Sequence, residues 1–151
     1  MNRSLARLAI AGTVGSLLLN PTTAQILSPA PKAAHVEITK GPELEIAYDD
    51  TAIVRWTSTN PGGNDEHFAV IHYGTDPKNL SQTAKSHIRL NQSHPETIFR
   101  VRVRGLLPQT TYYYRVTSIG ADGETDAVET AVNQFTTPAP GERMVAYPPP
   151  K

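Results

Sequence analysis

The chain predicts an all-β fold, a seven-stranded antiparallel β-sandwich, and three observations carry that prediction. Seven short segments alternate apolar and polar residues with period two, and no segment between them shows a helical period. Thirteen prolines and ten glycines in 151 residues fall between those segments, where turns need them. Gly105-Leu106-Leu107-Pro108-Gln109-Thr110 then leads into Thr111-Tyr112-Tyr113-Tyr114-Arg115-Val116, a turn followed by an alternating strand. A tyrosine at the start of such a strand buries its ring and returns its hydroxyl to the backbone upstream, the tyrosine corner of a sandwich, and Tyr112 stands in that place.

Taken in order, residues 1–24 have the pattern of a secretory signal. Arg3 and Arg7 form a positive start, Leu8 to Leu19 is an apolar run of 12 residues, and Thr22-Thr23-Ala24 offers small residues for cleavage. The run is too short to span a bilayer comfortably, so no membrane span is expected in the mature chain and its location is secreted or periplasmic. Residues 25–34, with Pro29 and Pro31, form an extended linker. The domain then occupies 35–138. Its first strand carries Val36, Ile38, Leu44 and Ile46, broken at Gly41-Pro42 as on a sheet edge. The second, Thr51 to Thr57, points Ala52, Val54 and Trp56 to one face. The third, His67 to Gly74, alternates Ala69, Ile71 and Tyr73 inward against Phe68, Val70 and His72 outward. A short edge strand covers Lys85 to Leu90, and Thr97 to Arg104 sets Phe99, Val101 and Val103 against Arg100, Arg102 and Arg104. Tyr112 to Ile119 is the sixth strand, Gly120 to Glu124 turns the chain, and Val132 to Thr136 is the seventh. The proline-rich tail 139–151 is expected to be extended and mobile, or a stub toward something else.

The order Leu106-x-Pro108-x-Thr110-x-Tyr112, together with Trp56 near the end of the second strand, resembles fibronectin type III domains, which are immunoglobulin-like sandwiches. Tyr73-Gly74-Thr75-Asp76-Pro77, the Thr-Thr-Tyr-Tyr-Tyr-Arg-Val run and Phe135-Thr136-Thr137-Pro138 make the chain look like the small N-terminal domain of purple acid phosphatases. That resemblance covers about 35 to 138. It implies structural roles for Trp56, Tyr73, Leu106, Pro108 and Tyr112, and a non-catalytic domain, because the family's dinuclear metal site belongs to a separate, larger domain. It also implies a possible partner, a phosphatase catalytic chain encoded separately.

The residues themselves exclude several function classes. Without the leader, 12 basic face 14 acidic residues, a net of −2, so nothing favours nucleic acid. There is no cysteine, hence no disulfide framework or thiol nucleophile. Gly63-Asn64-Asp65-Glu66-His67 superficially resembles a metallophosphoesterase motif, but its order is wrong and it sits alone in a loop, whereas a two-metal hydrolase needs several convergent ligands. His35, His67, His72, His87 and His94 share no close spacing, and His67 and His72 fall on opposite faces of one strand. Asp122, Glu124 and Asp126 offer oxygen ligands in the loop before the last strand, but the calcium-loop pattern is incomplete. No catalytic residue, metal or cofactor is therefore expected.

Two surfaces remain as candidates. Phe68, Val70, His72, Tyr113 and Arg115 lie together on one outer face if the third and sixth strands are neighbours, either as a contiguous partner-binding patch or as scattered surface residues. Arg100, Arg102 and Arg104, joined by Arg55 if the second and fifth strands pair, form a ladder that would hold an anion or acidic glycan. The alternative is cross-strand pairing with Glu37, Glu43 and Glu45. The expected function is a secreted, non-catalytic module that binds a protein or glycan partner. The alternative, which the resemblance implies, is the accessory N-terminal domain or a fragment of a purple acid phosphatase whose activity and metals reside in a separate catalytic domain.

Overall fold

The structure, a computed structural model, describes residues 31–63, 66–91, 93–119 and 125–146, without the side chains of 118, 119 and 125–128. The expected leader 1–24, most of the linker, and Asp122 and Glu124 lie outside these residues. Nine strand segments follow one another: β1 (Ile38–Tyr48), β2 (Thr51–Thr59), β3 (Glu66–Gly74), β4 (Gln82–Arg89), β5 (Glu96–Arg104), β6 (Thr111–Ile119), β7 (Thr125–Glu129), β8 (Asn133–Thr136) and β9 (Arg143–Val145). No helix occurs among the described residues.

One sheet has the order β5-β2-β1-β9; the other runs β4-β3-β6, with β7 and β8 both on the far side of β6. Because β8 pairs with Thr111 to Tyr114 and β7 with Thr117 and Ile119, those two segments share one strand position. The sandwich therefore has two antiparallel sheets of four positions each. Eight positions replace the expected seven, and β9 supplies the extra one: Val145, Met144 and Arg143 pair with Ile46, Ala47 and Tyr48 of β1. The expectation of a wholly mobile tail fails at these three residues. Unpaired backbone groups at the end of β1 are a better partner for the returning chain than water alone.

The core follows the period-two pattern. Val54, Ala52, Val101, Val103, Ile71 and Val116 are fully buried between the sheets. Trp56 stacks on Phe99 at 5.4 Å between ring centroids, so the sole tryptophan is a core residue. Tyr112, Phe135, Tyr73 and Tyr114 form the aromatic half of the core, with centroids 5.7 to 6.3 Å apart. Burying such rings dominates the energetics of a core this small. Leu106 is buried beside them while Pro108 is exposed in the turn. The Tyr112 hydroxyl accepts the Leu107 N–H at 3.0 Å, the hydrogen bond that defines a tyrosine corner.

β1 keeps its pairing with β2 through register shifts around Gly41-Pro42. Gly41 has φ +78°, and a Cβ there would sit 3.0 Å from the Arg55 carbonyl oxygen, so the bulge requires glycine.

Candidate interaction surfaces

The outer face of the second sheet is built by three adjoining strands. β3 and β6 are neighbours, with His72 opposite Arg115 and Gly74 opposite Tyr113. On the other side of β3, an unbroken hairpin sets Phe68 opposite His87, Val70 opposite Lys85 and His72 opposite Thr83. Its turn is fixed by the Asp76 carboxylate, which accepts the Lys78 N–H at 2.9 Å. Phe68 is 53% exposed and its ring lies 5.4 Å from the His87 ring, tilted by 51°. Val70, His72, Tyr113 and Arg115 are partly exposed. The five expected residues thus share one face, centred on β3.

Ion pairs frame this face. Glu66 stands 3.7 Å from both His87 and Arg89, and Arg115 Nη1 binds the Glu129 carboxylate at 2.6 Å. Arg115 is therefore held in place rather than free, and its buried Nε finds no partner among the described residues. Glu66, Lys85, His87 and Glu129 were not among the sequence candidates. Strict alternation along β4 was the only signal that could have found His87, and using it required the hairpin register.

The outer face of the first sheet carries the arginines. β2 and β5 pair without a break, placing Arg55 opposite Arg100, Ile53 opposite Arg102 and Thr51 opposite Arg104. The ladder exists, but it is not uniform. Arg100 Nε binds Glu45 at 2.7 Å and Arg55 approaches Glu43 at 3.8 Å, so the cross-strand alternative holds for that half. The Glu37 carboxylate pairs with none of the arginines among the described residues. Arg102 and Arg104 are exposed and make no ion pair there. They border a shallow depression of about 390 Å³ with Tyr48, Asp49, Asp50, Thr51 and Ile53. Both aspartates are engaged locally: Asp49 accepts the Gly141 N–H at 3.1 Å and Asp50 the Thr51 hydroxyl at 2.9 Å.

A second groove, about 700 Å³, separates the start of β1 from the Glu129–Asn133 connection and is lined by His35, Glu37, Pro42, Glu129 and Thr130 among others. The histidines do not converge. His67 is buried with its Nε2 3.1 Å from the Gly62 carbonyl, while His72, His87, His94 and His35 occupy separate outward positions. Asp126 lies in β7 rather than in the expected loop. No group of three or more His, Cys, Asp or Glu able to hold a metal occurs among the described residues. No helix there is long and apolar enough to cross a membrane.

Two buried phenols have raised pKa values. Tyr114 is pushed up to about 12, mainly by burial and secondarily by the charge of Glu43. Tyr73 moves in the same direction, through burial first and then Tyr112. Both belong to the core and not to a surface.

Comparison with solved structures finds sensor domains of the anti-sigma factor RsgI4 in Pseudobacteroides cellulosolvens. A long form is 17% identical over 75% of this chain and 99% of that one, with a TM-score of 0.47. A short form is 20% identical over 69% and 95%, TM-score 0.45, and a solution structure 19% identical over 78% and 92%, TM-score 0.48. No curated protein matches the chain. The model of the purple acid phosphatase N-terminal domain matches residues 31–137, which take in every strand from β1 to β8. By that match the chain belongs to the family of purple acid phosphatase N-terminal domains.

Proposed function

We propose that this domain is an exported, non-catalytic recognition module, which binds a protein or glycan partner through the outer face of β4, β3 and β6. The observation that carries this reading is Phe68. A large apolar ring half exposed near the start of β3, beside His87 and Val70 on a face that continues along the strand to His72 and Tyr113, is the arrangement in which a partner gains most by excluding water. Glu66–Arg89 and Arg115–Glu129 are charged groups already paired with each other, so that Phe68 and Val70 lie among charges that are mostly neutralised within the face, Lys85 opposite Val70 adding a positive group. The leader-like residues 1–24 support export, where such a partner would be met.

Family membership favours a second reading, in which the partner is a phosphatase catalytic chain and this module is its accessory part. Both readings use the same face and differ in what sits on it. The test is capture of partners from the exported fraction by the tagged mature chain and by its Phe68→Ser and Tyr113→Ser variants. A partner lost at least tenfold in the variants, with the fold unchanged by circular dichroism, supports the face. Capture that survives both substitutions refutes it, and phosphatase activity in the captured material selects the second reading.

A further inference from the structure

The free edge of β5 lies on the opposite sheet from Phe68, and the proposed recognition face leaves it unused. β5 is the terminal strand of its sheet and pairs along all nine residues with β2, from Glu96↔Thr59 to Arg104↔Thr51, with no bulge and no proline. Its other side has no strand partner among the described residues. Half of its backbone N–H and C=O groups therefore point outward as a ready template. The residues facing away from the core are Glu96, whose carboxylate accepts the Thr39 hydroxyl at 3.0 Å, Ile98, 54% exposed, then Arg100, Arg102 and Arg104. Arg100 is already bound by Glu45, whereas Arg102 and Arg104 make no ion pair among the described residues, the Asp49 and Asp50 carboxylates of the shared depression being engaged with Gly141 and Thr51.

We propose that the β5 edge binds an extended acidic peptide as an added antiparallel strand. Residues directly opposite in antiparallel strands share a face, so a peptide lying along β5 presents alternate side chains to Arg104, Arg102, Arg100 and Ile98 in turn. Successive outward side chains on each strand are about 7 Å apart, so carboxylates at alternate positions meet Arg104 and Arg102 in register. Backbone hydrogen bonds supply the affinity and the side-chain row supplies the choice of sequence, as in β-strand addition generally. The pattern is acidic, any, acidic, any, polar, any, apolar, in the peptide's own N-to-C direction.

Charge decides between this occupant and a second copy of the chain. Two β5 strands paired about a two-fold axis over most of their length set Arg102 on Arg102 and Arg100 on Arg104, and like charges directly opposite are destabilising. A register centred on Ile98, with Glu96 on Arg100, avoids this but pairs only the first half of the strand. The β4 edge offers less, since Arg89 and His87 already share Glu66. An acidic polysaccharide would use the guanidinium row but leave the backbone edge unsatisfied.

The probe is the peptide Glu-Thr-Glu-Thr-Glu-Thr-Val, titrated into the isotope-labelled chain and followed by amide NMR and hydrogen exchange. The expected result is slowed exchange at alternate β5 amides, binding weakened at least tenfold by the double charge reversal R102E/R104E, and no binding of the same peptide with lysine in place of glutamate. Absence of β5 protection at millimolar peptide overturns the proposal. So does binding that survives the reversal, or a response confined to polygalacturonate, which marks the row as a glycan site instead.

Discussion

Tyr112 and Tyr114, two residues apart on β6, show how much a single position decides in this sandwich. Tyr112 was identifiable from sequence because its role depends on order alone, a glycine and a proline upstream and a strand downstream. Its hydroxyl accepts the Leu107 N–H, a turn donor that would otherwise be left without a partner, an omission worth roughly 1–3 kcal/mol when buried. Tyr114 was legible only as an inward side chain; its ionisation depends on burial and on Glu43, which the bulged β1 brings near. The shift has a definite sign. The folded chain holds the Tyr114 proton up to about pH 12, while the unfolded chain releases it near the ordinary phenol value of 10.0. Stability from this group is therefore complete below pH 10 and is lost as pH rises from 10 toward 12. Urea melts between pH 9 and 12 should show this decline, and Tyr114→Phe should flatten it without removing it, because Tyr73 shifts in the same direction. A decline of equal slope in the variant assigns the effect elsewhere.

At the scale of the element, the strands with clean alternation were legible and the irregular ones were not. β5 alternates without exception, and its outward arginines were correctly placed on one face with Arg55. Which glutamates meet them was not legible, because the register of β1 shifts twice between Lys40 and Ile46, and only the fold reveals that Glu43 and Glu45 reach Arg55 and Arg100. The split of the last strand was equally hidden. Between β7 and β8 the Thr130 side chain takes over the ladder, its Oγ1 accepting the Val116 N–H at 3.1 Å, so a side chain replaces a backbone group at the break. β9 had no signal at all: three residues, exposed, between Pro140 and a proline run. It forms because β1 leaves an edge to cover, which is tertiary context. Truncation after Glu142 should therefore speed hydrogen exchange at the Ala47 amide, which faces β9, and leave those of Ile46 and Tyr48, which face β2, much as they are. The cost in global stability should stay under about 1 kcal/mol, as surface strand contacts rarely exceed that. Unchanged exchange at the Ala47 amide would mean that β9 does not pair in solution.

For the whole molecule, the question is whether a sandwich with five histidines and 14 acidic residues can do chemistry by itself. Two-metal phosphoester hydrolysis needs ligands that converge on both ions from several directions. A sandwich works against that, because alternation sends neighbouring side chains to opposite faces and the sheets separate those faces by a packed core about 10 Å thick. The described residues follow this geometry: His67 is inside on the Gly62 carbonyl, His72 and His87 are on one outer face with the Val70–Lys85 row between theirs, and His94 is in a turn. The carboxylates nearest to exposed positive charge, Glu43, Glu45, Glu66 and Glu129, each already face an arginine. Occupying any of them with a metal would strand a cation. The purified chain, loaded in turn with iron, zinc and manganese and then dialysed, should therefore retain less than about 0.1 metal per chain, since no site among the described residues offers the four to six donors such ions take. It should also hydrolyse a generic phosphomonoester no faster than buffer. Stoichiometric metal that co-purifies with activity would place ligands outside the described residues and make the chain an enzyme in its own right.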